Sequence, residues 1–366
     1  MHSAFKGIKL FSSLLKKNLQ PGICAIDLNS EGIAIARLIH DKDKPVLESC
    51  DYYPLDESRP SQQLKKLASD HNLKQTICTS LLSRSDYQLL VMESPAVPKE
   101  ERRSALRWRI KGLIEEPVTE ITLDAFDTPP PRGTEQSNSV YVVVAKNAPL
   151  NRHTQNLLNA DINLQVIDIV EMAQRNIASL LPDDSNGIAL LSLNTNSGMI
   201  TLSKAGELYL SRPLTIGIEQ VVTTTLQAEA AAQDVDGLPE MEMEMELDLE
   251  ISQVCDAEGD LPNLDDDLET GNTAAYDHIA LELQRSLDYY ESNFRQPPIR
   301  KLYLAPTLKK LPGFPAYIKD NLNMEVELVD LNNLLGCKTT LPQALQAQAF
   351  LTIGAALHRI EDEPAN

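Results

Sequence analysis

The chain opens, after about twenty residues, with a pattern of apolar and polar positions typical of a β-hairpin. In CAIDLNSEGIAIARL, residues 24–38, an apolar run ends in Asp27, a four-residue turn follows, and Ile33, Ile35 and Arg37 occupy alternate positions of a second strand. Alternation with period two indicates a strand. An apolar strand that ends in an acidic residue before a turn is one form of a phosphate-binding hairpin, so the stretch raises the question of a nucleotide site.

The same order of elements occurs twice along the chain. Three strand patterns come first, alternating helix and strand patterns follow, and from residue 188 three strands appear again as IALLSLN, MITLSKAG and ELYLSRPL. A region of different character, which includes a helix pattern over 99–116, interrupts the first copy. Later helix patterns cover 274–294, 307–322 and 343–360. Two copies of one plan predict an internally duplicated α/β fold.

Charge changes this picture in one segment. The formal net charge is −20, but sixteen acidic residues lie between positions 229 and 269, and without them the charge is −4. So acidic a chain argues against a nucleic-acid binder, which needs a basic face to neutralise phosphates. We expect residues 229–271 to form a disordered or loosely held insertion, although the alternation in EMEMEMELDLEI also permits an edge strand paired to a partner.

The first twenty residues have the pattern of a short basic amphipathic helix. Apolar residues fall largely on one side of the helical wheel and lysines on another. The residues that we single out for contact with a membrane or a partner are Lys6, Lys9, Phe11, Lys16 and Lys17. An ordinary helix that caps a domain, or a disordered tail, is the alternative. No apolar run reaches the roughly 18–20 residues that span a bilayer, and the pattern is not that of a secretory signal.

Motifs that would carry catalysis are scarce. The five cysteines are far apart and are interpreted as reduced thiols, and the six histidines show no metal-binding or catalytic spacing. The single tryptophan, Trp108, lies between Arg107 and Arg109 in a helix pattern. Its simplest interpretation is that it packs that helix onto its own sheet. The alternative is a hot spot for a partner, because Trp and Arg are enriched in such sites.

Several segments match one known family in order along nearly the whole chain. They include AIDLNSEGIAIARL, VPKEERRSALRWRIKGLIEEPVTEITLDAF, LYLSRPLTIG, ELQRSLDYYESNF and FLTIGAALHR. In these segments the chain resembles the PilM family of type IV pilus assembly proteins, and most of all its branch from the MSHA pilus system. That family is related to the cell-division protein FtsA. The resemblance implies an α/β, actin-like ATPase fold: two duplicated RNase H-like domains that face a cleft, with a small α+β subdomain inserted in the first.

The resemblance also implies where each domain begins and ends. The expected parts are a basic amphipathic segment over 1–20, a first actin-like domain over 21–183 with the inserted subdomain at about 85–145, a second actin-like domain over 184–342 with the acidic insertion at about 229–271, and a C-terminal helix and tail over 343–366.

In the family, ATP lies in the cleft between two phosphate hairpins and an adenosine loop. An acidic residue holds magnesium or its waters, and glycine lets backbone N–H groups approach the phosphates. The equivalent positions in this chain are Asp27, Asn29 and Ser30 in the first hairpin, Ser192, Asn194 and Thr195 in the second, and Ala305, Pro306 and Thr307 in the adenosine loop.

All three loops depart from the family pattern. Asn29 and Asn194 stand where the turns have glycine, and Ser192 replaces an aspartate without supplying its charge. Pro306 has a fixed φ and no N–H group, which makes a close approach to a nucleotide difficult. Because asparagine tolerates left-handed turns, we expect both hairpins to keep their shape but lose the phosphate cradle. Asp27 is the remaining candidate for magnesium, and its alternative role is that of a turn-forming residue.

The expected function is therefore that of a non-catalytic scaffold in type IV pilus assembly, peripheral to the bacterial inner membrane on its cytoplasmic side. By the resemblance, its partner is the cytoplasmic peptide of a bitopic, PilN-like protein, bound between the first domain and the inserted subdomain. No cofactor is expected, although weak binding of ATP and magnesium stays open. The alternative is a nucleotide-switched ATPase that binds through Asp27 and the Asn turns. A filament-forming protein is disfavoured, because the inserted subdomain and the acidic segment would interrupt actin-like stacking.

Overall fold

The computed structural model describes residues 19–40, 44–134, 139–222 and 273–358. The predictions for the basic N-terminal segment and for the acidic insertion concern residues outside these ranges. Within them, every helix is too short or too polar to cross a lipid bilayer.

The described chain forms three β-sheets and helices that pack on them. The strands are Gln20–Leu28 (β1), Gly32–His40 (β2), Pro45–Pro54 (β3), Thr76–Leu81 (β4), Tyr87–Glu93 (β5), Ile121–Asp127 (β6), Ser139–Lys146 (β7), Leu164–Asp168 (β8), Ile188–Leu193 (β9), Gly198–Lys204 (β10), Glu207–Leu214 (β11), Lys301–Leu304 (β12), Glu325–Leu328 (β13) and Gly336–Cys337 (β14). The helices are Pro60–Asp70 (α1), Lys99–Arg109 (α2), Asn147–Asn159 (α3), Val170–Ala178 (α4), Thr273–Phe294 (α5), Phe314–Leu322 (α6), Leu331–Leu334 (α7) and Gln343–Ala356 (α8).

The first sheet has the strand order β14-β3-β2-β1-β4-β8. Strands β1 and β2 form the antiparallel hairpin that the sequence predicts, with Asp27 opposite Ala34. Strands β4 and β8 add in parallel. Both faces of β1 are covered, so the residues from Ile23 to Ile26 are all buried. This coverage explains why the strand is a continuous apolar run.

The second sheet has the order β11-β10-β9-β12-β13. Its first three strands form an antiparallel meander, and β12 and β13 follow in parallel. Without β14, the first sheet has the same arrangement of a meander and two parallel strands. The structure therefore contains the internal duplication that the sequence predicts.

A third, three-stranded sheet interrupts the first domain, with the order β5-β7-β6. Helix α2 covers one of its faces, and Leu106 and Ile110 are fully buried there. Trp108 is 75% exposed, so the interpretation that it packs α2 onto the sheet is wrong. At about 100° per residue, the position two residues after Leu106 lies on the opposite side of the helix.

Two predicted helices are shorter in the structure. The pattern over 307–322 forms a helix only from Phe314, because Gly313 has a φ of 73°, which a right-handed helix cannot contain. The pattern over 99–116 ends as an α-helix at Arg109 and continues as one 3₁₀ turn over Ile110–Gly112. The spacing of apolar residues does not show that the first of these helices begins at Phe314 or that the second ends at Arg109.

Helices α4 and α8 lie between the two large sheets and pack against each other. Their buried residues share one core with β1 and β2 of the first sheet and β9 of the second. A Cβ atom on Gly354 would lie 2.2 Å from the Ala173 carbonyl oxygen. The two helices therefore touch backbone to backbone, and this layer joins the two halves of the molecule.

Candidate functional site

A cleft of about 410 Å³ lies where the turns of the two large sheets approach each other. Its lining includes the β1–β2 turn, the β9–β10 turn, the loop after β12 and part of α8. The predicted residues that line it are Asp27, Asn29, Ser30, Ser192, Asn194, Thr195, Ala305 and Pro306. Thr307 does not line the cleft. It is buried, and its hydroxyl donates a hydrogen bond to the Lys309 carbonyl at 2.8 Å.

The first turn is shaped by the side chain of Asn29. Its Oδ1 accepts hydrogen bonds from the N–H groups of Glu31 and Gly32, both at 2.9 Å. The Asn29 N–H donates to the Gly32 carbonyl at 3.1 Å. Asparagine forms such turns readily because its side chain reaches the backbone two residues on. Three N–H groups of the turn are therefore already bonded within it.

Both hairpins form as expected, but without the left-handed backbone that asparagine tolerates. Among the described residues, those with positive φ include neither Asn29 nor Asn194. At Asn29, side-chain hydrogen bonds replace the backbone freedom that a glycine would give. These bonds hold the hairpin in shape and occupy two N–H groups of the turn.

Asp27 is half-buried at the end of β1. Burial raises the pKa of its carboxyl from 3.8 to about 6, and a hydrogen bond from Asn29 Nδ2, at 3.3 Å, opposes that rise. In the part of the chain that the structure describes, no three His, Cys, Asp or Glu side chains group closely enough to hold a metal ion. A magnesium role for Asp27 stays a prediction.

At the second turn the position of the acid is taken by Ser192, which is uncharged, buried and hydrogen-bonded to helix α4. The Ser192 hydroxyl donates to Gln174 Oε1 at 2.8 Å. Gln174 Nε2 in turn donates to the Leu190 carbonyl at 2.8 Å and to the Thr201 hydroxyl at 3.0 Å. A neutral, internally satisfied network therefore occupies the position of the family's second aspartate.

Backbone hydrogen bonds hold the second turn against the segment that follows β11. The Asn194 N–H donates to the Ser197 carbonyl at 2.8 Å, and the Asn194 carbonyl accepts from Ile218 N–H at 2.8 Å. A Cβ atom on Gly217 would lie 2.4 Å from Ser197 N, so only glycine fits there. The turn is thereby packed against the segment that follows β11.

One hydrogen bond joins the two turns across the cleft. The Thr195 hydroxyl donates to the Glu31 carboxylate. This contact places a carboxylate between the hairpins, in the region where the resemblance would put the phosphates. Because like charges repel strongly at short range, a polyphosphate would have to displace Glu31.

Arg84 is the one cation among the described residues that line the cleft. Its Nε lies 3.4 Å from the buried carboxylate of Glu171, and its Nη1 donates to the Tyr87 carbonyl at 3.0 Å. The guanidinium also lies over the Tyr87 ring, 4.9 Å from its centroid. Burial raises the pKa of Glu171, and the nearby Arg84 lowers it. Arg84 is thus already paired with a buried anion, and removing it would leave that anion uncompensated.

The loop after β12 offers few donors. The Ala305 N–H donates to the Leu191 carbonyl at 2.8 Å, and Pro306 has no N–H group. Both residues are buried. Taken with the two turns, the cleft departs from a magnesium-nucleotide site in three ways: the Glu31 and Gly32 N–H groups are bonded to Asn29, the second acid is a serine, and Glu31 occupies the gap.

A second cavity, of about 540 Å³, borders the inserted subdomain. We call it the subdomain groove; its apolar lining includes Leu89, Val91, Tyr141, Tyr209, Pro213, Tyr289 and Phe294. The sheet of the inserted subdomain forms one wall, and β11 and α5 of the second domain form the other. Arg84 and Glu171 of the first domain belong to the lining too. Arg84 therefore borders both the cleft and the subdomain groove.

Sequence reasoning missed three residues that decide the chemistry of the cleft. Glu31 was detectable as an acidic side chain inside the first turn. Gln174 carried no clear signal, because it stands beside Arg175 and Asn176 in α4, and only the structure shows that it is buried. Arg84 carried no pattern, because its role depends on Glu171, which is distant in sequence.

Comparison with known structures identifies the fold. The PilM–PilN type IV pilus biogenesis complex matches with a TM-score of 0.65 and 17% identity, over 92% of this chain and 97% of that one. The fold is that of the actin-like ATPases. The predicted fold class is confirmed by this match and by the duplicated strand order.

Two further structures match over most of their length with lower scores. The cytoplasmic domain of EpsL, an inner-membrane component of the type II secretion system of Vibrio cholerae, has a TM-score of 0.42 and 11% identity, over 92% of this chain and 96% of that one. A Bacteroides thetaiotaomicron protein with an actin-like ATPase fold has a TM-score of 0.44 and 10% identity, over 93% of this chain and 99% of that one. Neither a protein-family model nor a curated protein sequence matches the chain.

Proposed function

We propose that this protein is a non-catalytic, actin-like scaffold of type IV pilus assembly, of the MSHA type and most similar to MshI. It works at the cytoplasmic face of the inner membrane, where the basic segment with Lys6, Lys9, Phe11, Lys16 and Lys17 gives a weak peripheral contact. Its partner is the cytoplasmic peptide of a bitopic, PilN-like membrane protein. The sequence resemblance and the fold shared with the PilM of the PilM–PilN complex support this assignment.

The observation that carries the non-catalytic part is the hydrogen bonding of the two turns. Asn29 takes up the N–H groups of its own turn, and Glu31 bridges to Thr195 across the cleft. A nucleotide would have to break these contacts, and the one cation that it would meet among the described cleft residues, Arg84, is already paired with Glu171. Partner surfaces are therefore the basis of the function.

The subdomain groove has the chemistry of a peptide site. Val91 and Tyr289 expose 54% and 41% of their surface and both line the groove, so their exposed apolar surfaces belong to one cavity. Strands β5 and β11, which border the groove, are both edge strands of their sheets. An extended apolar peptide could add to such an edge and place alternate side chains in the groove.

The partner assignment is tested by titrating synthetic cytoplasmic tails of PilN-like pilus proteins into the purified protein. We expect one tail to bind, and Val91→Glu to weaken it at least about tenfold, because the substitution puts a charge in a desolvated contact. The matched control is Leu158→Glu, on a residue 43% exposed on α3 and outside the groove. Failure of every tail to bind would reject the partner, and equal affinity of the Val91→Glu variant would reject the groove.

A nucleotide-switched ATPase remains a second candidate because Asp27 still faces a cleft of about 410 Å³. Calorimetric titration with ATP and magnesium separates the two, with an ATP-binding PilM relative as positive control. We expect no binding up to millimolar ATP. Micromolar binding that Asp27→Ala abolishes would make the nucleotide switch the better description, whatever the result with peptides.

A further inference from the structure

The outer face of α2 carries a surface that neither the cleft nor the subdomain groove explains. Trp108, the single tryptophan of the chain, is 75% exposed there. Leu113, just after the helix, is 60% exposed. We call the set Arg107, Trp108, Arg109, Lys111 and Leu113 the α2 surface.

The inserted sheet separates the α2 surface from the subdomain groove. On the α2 side, Leu106 and Ile110 pack with Val140 and Val142. Tyr141, between those two valines, lines the groove on the opposite side. Since side chains alternate across a strand, two partners could occupy the inserted subdomain at once.

The α2 surface has a uniform charge. Five basic residues and no acidic one lie between positions 102 and 114. Arg102 and Arg103 are used by the fold, in ion pairs with Asp127 and Asp124, both at 2.6 Å. Arg107 and Arg109 each donate one hydrogen bond to a backbone carbonyl, which positions the guanidinium and leaves other N–H groups free for a partner.

A structural role accounts for part of this composition. Cations near the C-terminal end of a helix favour the helix dipole, and this explains Arg107 and Arg109. It does not explain a large aromatic ring left in water beside them. Trp and Arg together, with an apolar neighbour, form the usual composition of an interface centre.

We propose that the α2 surface binds an acidic segment of a partner protein that carries an apolar side chain beside its carboxylates. The carboxylates pair with Arg107, Arg109 and Lys111, and the apolar side chain covers Trp108. Exposed glutamates lie near the surface in sequence, at positions 93, 100, 101, 115 and 120. A short acidic segment can contact the basic side chains without covering these glutamates, whereas an extended anionic membrane would meet both and be repelled by the glutamates.

The chain contains its own reporter for this proposal. Because Trp108 is the only tryptophan, its fluorescence reports on the α2 surface alone. The probe is a short blocked peptide that alternates Glu with Leu, and its twin has Gln in place of each Glu. We expect the acidic peptide to shift the emission to the blue in a saturable way that salt weakens, and the Gln twin to have no effect.

Two charge-reversal variants make the test specific. Arg107→Glu with Lys111→Glu is expected to weaken the acidic peptide roughly tenfold or more. Lys65→Glu with Lys66→Glu makes the same charge change on exposed positions of α1 and should leave binding unchanged. Val91→Glu, in the subdomain groove, should also leave it unchanged, so this test is independent of the proposed pilus partner.

Three outcomes would overturn the proposal. They are an unchanged emission up to millimolar acidic peptide, an equal response to the Gln twin, and a response to vesicles of phosphatidylcholine and phosphatidylglycerol without a response to the peptide. A response to vesicles alone would show that the α2 surface binds a membrane and not an acidic protein segment.

Discussion

Single residues decide the chemistry of the cleft. Asn29, where the PilM family that the chain resembles has a glycine, limits the groups that the first turn offers, because its side chain takes up the N–H groups of residues 31 and 32. Ser192, where the resembled family has an aspartate, is part of a neutral network with Gln174. Asp27 is half-buried, and burial raises its pKa to about 6 against the opposing hydrogen bond from Asn29.

The raised pKa of Asp27 predicts a pH-dependent effect on stability. A carboxyl whose pKa is higher in the folded state stabilises the fold less when it is charged than when it is protonated. The destabilisation by the charged Asp27 is therefore absent below pH 3.8, grows between pH 3.8 and about 6, and is complete above pH 6. Asp27→Asn should therefore raise the free energy of unfolding at pH 7 by about 1–2 kcal/mol, less than the full shift because the group is half-buried. Urea unfolding at pH 7 and pH 4 measures this difference.

The control for that prediction is Asp56→Asn, whose expected effect on the free energy of unfolding at pH 7 is opposite in sign. Hydrogen bonds from Ser58 lower the pKa of Asp56, so its charged form stabilises the fold above its ordinary pKa and that contribution is lost as the pH falls. Asp56→Asn should lower stability at pH 7. An Asp27→Asn variant that is equally stable as the wild type at pH 7 would show that the carboxyl is solvated and its pKa ordinary.

At the scale of elements, close packing of α4 on α8 holds the two halves of the molecule together. Apolar periodicity predicts both helices, but it does not predict that Gly354 faces the backbone of Ala173. Such a contact requires a residue without a side chain at one position, and interiors are packed too densely to absorb an added methyl group against backbone. The inserted subdomain has its own small core, in which α2 supplies Leu106 and Ile110.

Gly354→Ala should therefore destabilise the protein although alanine favours helices. The added Cβ would lie 2.2 Å from the Ala173 carbonyl oxygen, and overpacking of this kind costs about 1–3 kcal/mol or more. The matched control is Gly112→Ala, where the Cβ meets nothing within 4 Å and stability should be unchanged or slightly higher. Equal urea midpoints for the two variants would show that α4 and α8 can separate without cost.

At the scale of the whole molecule, contacts on two sides hold the domains in one arrangement. On one side, Glu31 and Thr195 join the hairpin turns. On the other, β14 pairs with β3 of the first sheet, and Lys338 lies 3.0 Å from Glu48. A cleft held in this way suits a scaffold better than a switch, because a switch needs two arrangements of similar free energy.

Loss of the Glu31–Thr195 bond should loosen both turns. In Glu31→Ala we expect faster hydrogen exchange over residues 27–32 and also over 192–198, because the bond is shared between the domains. Glu57→Ala, an exposed position before α1, is the control and should change neither segment. If only the first turn exchanged faster, the bridge would have no role in holding the domains.

The sequence by itself determined the duplicated α/β plan and the separate character of the inserted region, because strand alternation and segment order are local properties. The resemblance to the PilM family added the positions of the three cleft loops and their departures from the family's glycine, acid and donor. Only the tertiary structure decided that Asn29 uses its side chain rather than a left-handed backbone, that Glu31 meets Thr195, and that Trp108 faces solvent. Those outcomes depend on which distant residues the fold brings within hydrogen-bonding or packing distance, and no local pattern contains that information.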